Sequence, residues 1–259
     1  AIHSAFERAD GLNILFVGET IIDEYRYVNP LAKPSKEFIL ATVEAKEPER
    51  FLGGVIAASQ HAEWKKASVV THNGEPIRKT RFVDPDFSRK LFEVYSKARI
   101  EMHEEERAAF HCRLIDGVRK ADVVVCFDFG HGLMTAQDRH IAESGKFFAV
   151  NAQTNAANYG FNPVTKYSRA NLVCIDMPEA RIAAGDQTET IAGVLMAKIQ
   201  QRMEFENIVV TQGKHGATCH RPDQYRITIP AFSSRAIDTM GAGDAFLAVT
   251  APLVAAGLD

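Results

Sequence analysis

Residues 236–246 read AIDTMGAGDAF, and the reading of this stretch decides the fold. Gly241, Ala242 and Gly243 stand directly before an acid, Asp244, and the apolar run AFLAVTAPLVAAGL follows at 245–258. Glycines turn backbone N–H groups inward without obstruction from a Cβ, and a helix is expected to begin at about Asp244. Unpaired N–H groups and the helix dipole together make an anion site. A carboxylate would repel a phosphate bound there, unless its task is to take a proton from an attacking hydroxyl beside the anion. The plainer alternative is a glycine loop with Asp244 as helix N-cap. Residue types alone leave both readings open.

Outward from this stretch, short β-rich apolar runs recur: NILFV (13–17), DVVVCF (122–127), FFAV (147–150), LVCI (172–175) and NIVV (207–210). They lack strict alternation, as expected of strands buried on both faces of a parallel sheet. Helical patterns at 101–120 and 188–203 lie between them, which predicts a doubly wound α/β/α sandwich. Small and acidic residues follow the strands: GETIIDEY, DFGHG, DMPE and TQGKHG. Open α/β sheets bind ligands at that edge. Residues 24–50 break the rhythm with two prolines, FILATV and many charges, and read as a β flap inserted after the first strand. A long surface loop is the alternative. One domain over 1–259 is expected, with the flap as its lid.

The composition, with 46% hydrophobic and 24% charged residues, is that of a globular protein. A formal net charge of −3 argues against a bulk nucleic-acid or membrane-surface binder. No run approaches the ~18 apolar residues of a membrane span. Cys112, Cys126, Cys174 and Cys219 form no CxxC pair and read as free thiols, which suits a cytoplasmic location. HEEER (103–107) is not HExxH, GKHGAT is not a P-loop, and no GxGxxG follows the first strand. Zinc hydrolysis and dinucleotide-dependent dehydrogenation are disfavoured accordingly.

DTMGAGDAF resembles the DTTGAGD signature of the ribokinase-like (phosphofructokinase-B) carbohydrate kinases, and other matches follow in that family's order. The resemblance implies a kinase that uses ATP and Mg²⁺, with Asp244 as general base and the 241–243 amides stabilising the transferred phosphoryl. It further implies that Asp23 in GETIIDEY and the pair Gly53 and Gly54 bind the sugar. In IDMPE it places Asp176 and Glu179 near the phosphates, Glu179 reaching Mg²⁺ through water. Thr211, Gly213 and Gly216 of TQGKHG would contact the nucleotide, and Asp238 would lie near a monovalent cation such as K⁺.

Within the family, the chain is most similar to the heptose-phosphate kinase domain of ADP-heptose synthases. FDFGHGLMT is similar to that group's Asp-Tyr-Gly-Lys-Gly segment, which assigns Asp128 to the substrate and puts His131 where the group has lysine. PIRKTRF is similar to its Lys-Thr-Arg strand. Lys79 and Arg81 alternate with Thr80, so both can face one side and hold a sugar phosphate; a solvated edge strand is the alternative. The sequence also departs from the pattern. Ala57 replaces a sugar-contacting asparagine, Asp176 replaces another asparagine, and the stretch between 70 and 76 is short. The chain also ends soon after the GAGD helix, as a truncated kinase domain would. A homodimer through the exposed strand EFILATVEA is expected, and the resemblance suggests a nucleotidyltransferase as a fused partner. Two rivals stay open: a kinase for a simple sugar or nucleoside, and a non-catalytic sugar or nucleotide sensor.

Overall fold

The computed structural model describes residues 2–31, 39–61, 63–222, 224, 226–232 and 241–258. Helix α1 (Ile2–Asp10) leads into β1 (Ile14–Gly18), β2 (Thr20–Pro30) and β3 (Thr42–Gly54), then α2 (Val55–Gln60) and β4 (Ala67–Val70). Next come β5 (Ile77–Asp84), β6 (Arg89–Tyr95), α3 (Glu104–Lys120), β7 (Val123–Asp128), α4 (Ala136–Glu143) and β8 (Phe148–Ala152). The order continues with β9 (Arg169–Asp176), α5 (Met177–Ala184), α6 (Ala192–Gln200), β10 (Glu204–Thr211), β11 (Ala217–His220), β12 (Ile227–Ile229) and α7 (Ala242–Ala255).

Eight strands form the main sheet in the order β12-β11-β10-β9-β8-β7-β1-β4. From β4 to β10 the neighbours are parallel, and β11 and β12 close one edge antiparallel. The continuous apolar runs predicted this: β1, β7 and β8 are buried at every position. Alternate side chains serve opposite faces. Leu15 and Val17 share one buried cluster with Phe110 and Leu114 of α3 and, further along the same face, Leu195 and Ile199 of α6. Ile14 and Phe16 pack with Ala5 and Ala9 of α1 and with Leu247, Ala248 and Ala251 of α7. Each large apolar side chain buried in this way contributes about 1.5–3 kcal/mol. The result is a three-layer α/β/α sandwich, as the sequence led one to expect.

A second sheet of four strands, ordered β3-β2-β5-β6, forms the lid. It takes in more chain than the 24–50 segment singled out in the sequence: β2 starts at Thr20, β3 runs to Gly54, and β5 and β6 come from 77–95. The physical reason is that a lone two-stranded hairpin is marginal in water. β5 pairs parallel to β2 and covers its edge, and β6 pairs antiparallel to β5. Glu24, only 1% exposed, ties the lid together by accepting from Arg26 Nε at 2.7 Å and Arg50 Nε at 2.6 Å. Part of EFILATVEA, up to Phe38, lies outside the described residues. Among the described residues no helix is long and apolar enough to cross a membrane, and the four cysteines are unpaired.

Candidate active site

Helix α7 begins at Ala242, with Gly241 as its N-cap in the left-handed conformation (φ 74°) that favours glycine. Asp244 therefore stands in the first turn, not at the cap. Among the described residues no backbone amide occupies its carboxylate; Oδ1 instead accepts a hydrogen bond from Gln153 Nε2 at 2.7 Å. The simple-cap alternative does not describe this geometry. No atom of the described residues lies within 4 Å of where a Cβ on Gly241 or Gly243 would stand. Burial pushes the Asp244 carboxyl up to about 7, against the opposing pull of Lys79 and of the Gln153 hydrogen bond, with Asp23 adding to the rise.

Lys79 and Asp23 reach Asp244 from the lid. They are register partners on β5 and β2. Lys79, Arg81, Asp23 and Tyr25 alternate with Thr80 and Glu24, so the four share one face. The solvated-edge alternative for this segment fails, because β5 lies between β2 and β6 and Arg81 is 8% exposed. Yet the two cations differ. The Arg81 guanidinium is bonded to Asp23 and, through Nε at 2.8 Å, to Glu93. Lys79 has no ion-pair partner among the described residues; its ammonium lies 5.4 Å from the centre of the Tyr95 ring, and burial holds it below its ordinary value. Gly53 packs so close that a Cβ there would stand 2.3 Å from Asp23 Oδ2, and Gly54 (φ 63°) admits no side chain against Glu19. The structure thus brings Asp23, Gly53, Gly54, Lys79 and Arg81 together.

A second group gathers at the carboxyl edge of β9 and β10. Asp176 caps α5, accepting from Glu179 N at 2.8 Å, while Glu179 Oε2 accepts from Asp176 N at 2.9 Å. The other Glu179 oxygen accepts from Thr154 N at 3.2 Å. Burial, then Asp176 and Asp244, push the Glu179 carboxyl up to about 8. Thr211 is the register partner of Asp176 on β10. Gly213 lies in the following turn with open space around it, and Gly216 packs against the β12 backbone, where a Cβ would stand 1.9 Å from Ile229 O. Among the described residues, no three acids, thiols or imidazoles converge closely enough to enclose a metal ion. Asp238 lies outside the described residues.

Asp128 stands apart from both groups. It is 1% exposed, and its carboxylate takes hydrogen bonds from Tyr167 Oη at 2.7 Å and Gly130 N at 3.0 Å, with Lys166 Nζ at 2.5 Å. That side chain is occupied inside the protein rather than offered to a ligand. His131 is also fully buried, its Nδ1 against Ala98 O at 3.0 Å. Two residues of the site were missed in the sequence. Glu19, fully buried, accepts from Phe129 N at 3.0 Å and His131 N at 3.1 Å, and burial followed by Asp128 pushes it up to about 7. Gln153 holds Asp244. It follows the core strand FFAV, whose carboxyl-terminal neighbours NAQTN hold no acid to mark them.

The three-layer sandwich with its second, four-stranded sheet has the architecture of the ribokinase-like fold. Similarity to known proteins leads to the same place: the pfkB family carbohydrate kinase description matches residues 134–259. Across 96% of its length the chain is 22% identical to the bifunctional protein HldE of Bradyrhizobium diazoefficiens, covering 56% of that protein. It is 29% identical to HldE of Pseudomonas savastanoi pv. phaseolicola over 56% of the chain and 29% of that protein. The chain thus spans little more than half the length of such relatives at most. Among solved structures, the tetrameric inhibited form of phosphofructokinase-2 from Escherichia coli superposes with a TM-score of 0.71 at 13% identity, covering 96% of this chain and 89% of that one. Arabidopsis thaliana ribokinase complexed with ribose and ATP superposes with a TM-score of 0.62 at 16% identity, covering 96% and 87%. The chain has the ribokinase-like fold, and its resemblance to the pfkB carbohydrate kinases extends to their family pattern.

Proposed function

We propose that the protein transfers the γ-phosphoryl group of ATP to a hydroxyl of a sugar phosphate, with a heptose phosphate the first candidate. The observation that carries this reading is the position of Asp244 between two groups: Lys79 and Asp23 act on it from the lid, and Glu179 shares its field from the β9 edge. The acceptor lies under the lid, its hydroxyls on Asp23 and the Gly53–Gly54 backbone. Asp244 takes the proton of the attacking hydroxyl, and a base that titrates near 7 suits that work at neutral pH. The N–H groups at the open start of α7 receive the negative charge of the transferred phosphoryl. Thr211, Gly213 and Asp176 flank the nucleotide. Asp176 and Asp244 both act on Glu179, and among the described residues no ion pair neutralises it, which is chemistry that accepts a cation; Glu179 would hold Mg²⁺ through water. Mg²⁺ bound with the nucleotide neutralises charge on the phosphates.

Heptose phosphate is favoured by the likeness to HldE and by Lys79, which has no ion-pair partner among the described residues. A second reading has its own observation: Arg81 is already neutralised by Asp23 and Glu93, which suits an uncharged sugar. ADP release measured over a panel of heptose phosphates, hexose phosphates, free sugars and nucleosides tests both. Turnover of phosphorylated sugars supports the first reading and preference for free sugars the second. Tight binding without turnover by the full-length protein would make the chain a sensor instead.

The exposed apolar residues Leu40, Val43, Phe51 and Leu52 of the lid and its hairpin favour a homodimer through this sheet. Sedimentation at micromolar concentration checks this, with a monomer the adverse result. Because relatives that carry the name bifunctional are about twice as long, a second activity on the same polypeptide, such as nucleotidyl transfer, fits the reading.

A further inference from the structure

The geometry points to Gln153 as the positioning residue for Asp244: its carboxamide N–H₂ holds one carboxylate oxygen and leaves the other aimed at the acceptor. The hydrogen bond is 2.7 Å long, and because an ionised carboxylate only accepts, the amide must present Nε2. Gln153 itself has little freedom. Its N donates to Asp128 O at 2.8 Å, and its own carbonyl accepts from Asn158 Nδ2 at 3.0 Å and Asn162 Nδ2 at 3.1 Å. Asn162 Nδ2 also reaches Asp128 O at 2.9 Å. Asp128 is clamped in turn by Tyr167 and Lys166. This bracket, mostly buried, runs from the end of β7 to the start of α7 and gives the occupied Asp128 carboxylate a purpose. Gln153 is long enough to bridge to Asp244 and, being neutral, adds no charge where phosphates would lie.

The groups that face Asp244 are Lys79 of β5, Asp23 of β2, Glu179 of α5 and Cys174 of β9, and Gln153 alone among the described residues hydrogen-bonds it. The inference rests on Asp244 being the base, so the test has an arm that needs no activity. Full-length protein labelled with ¹³C-carboxyl aspartate is titrated as wild type, Gln153→Met and Gln153→Glu, with the Asp244 signal assigned by its loss in Asp244→Asn. Loss of one charge-assisted hydrogen bond should raise the Asp244 midpoint by about one pH unit in Gln153→Met. Gln153→Glu, the same shape with a like charge, should raise it further and serves alone if the Met variant does not fold. In the kinetic arm, with MgATP and ribose, fructose 6-phosphate or sedoheptulose 7-phosphate, turnover at pH 7 should fall about fivefold and recover as pH rises, with the KM for ATP unchanged. A part in packing alone would lower turnover equally at every pH. An Asp244 midpoint that is the same in all three proteins overturns the inference. A shifted midpoint in a protein that phosphorylates none of the three acceptors upholds Gln153 and counts against the kinase reading.

Discussion

The two sides of the cleft treat charge in opposite ways. On the lid, acids and bases are matched: Glu24 with Arg26 and Arg50, Asp23 with Arg81, Arg81 with Glu93. At the sheet edge, Asp176 and Asp244 both raise Glu179, and at Asp244 the pull of Lys79 and the Gln153 hydrogen bond offset burial. A matched network is rigid and complete without a ligand. A cluster of like charges is a standing cost that a cation or its protons must relieve. On the proposed function the lid shapes the acceptor site, whereas the edge is finished by what binds there.

The strongest test of that contrast is Asp244→Asn, which keeps size and can still accept from Gln153. Turnover should fall by about 10²–10⁴, the usual contribution of a positioned base, with little change in ATP affinity. Near-normal kcat would dissolve the distinction between the two sides. Next come the two lid cations, which should now part company. Arg81→Ala leaves Asp23 and Glu93 facing each other in a largely buried place and should cost about 3 kcal/mol of stability by denaturant melting. Lys79→Ala should leave stability nearly unchanged and raise the KM for a phosphorylated acceptor about 10–100-fold, the worth of one charge-assisted contact. If both variants merely raise KM, the lid is not the closed network described above.

Glu179→Gln removes one of the crowded acids and should raise the Mg²⁺ needed for half-maximal activity by about tenfold, the effect of losing an outer-shell partner. The smallest expected effect is on stability against pH. The Asp244 carboxyl is raised when folded, so the folded chain holds a proton that the unfolded chain has already released between about pH 4 and 7. Stability contributed by this group is present at low pH and lost as pH rises through about 7. Asp244→Asn should therefore melt a few degrees above wild type at pH 8, and near it at pH 5.

How much of this was readable beforehand follows from which signals are local. Strand β1 announces itself because ILFV is apolar without alternation, and the start of α7 because GAGD is specific in both composition and place. The pairing of β5 with β2 is not local: Ile21 and its partner Ile77 are far apart in sequence, and nothing in PIRKTRF says which strand it joins. The common face of Lys79 and Arg81 follows from alternation, but that one would be neutralised depended on Glu93, a residue on the neighbouring strand β6. Gln153 carried a positional signal, the end of a core strand, but no chemical one, since a glutamine has no charge to draw attention. Glu19 is adjacent to a glycine in GET and is hidden for a related reason: its partners are backbone amides of 129 and 131, which have no sequence signature.

Those amides matter for one further reason. The lid is joined to the core without slack: β1 ends at Gly18 and β2 begins at Thr20, while β3 ends at Gly54 and α2 begins at Val55. Glu19 sits at the meeting point of these two junctions: its backbone carbonyl accepts from Val55 N at 3.0 Å, and its carboxylate accepts from Phe129 N and His131 N in the turn after β7. The Phe129 carbonyl in turn accepts from Asn158 Nδ2, a member of the bracket around Gln153. One buried acid thus fastens the root of the second sheet to the same turn that steadies Gln153.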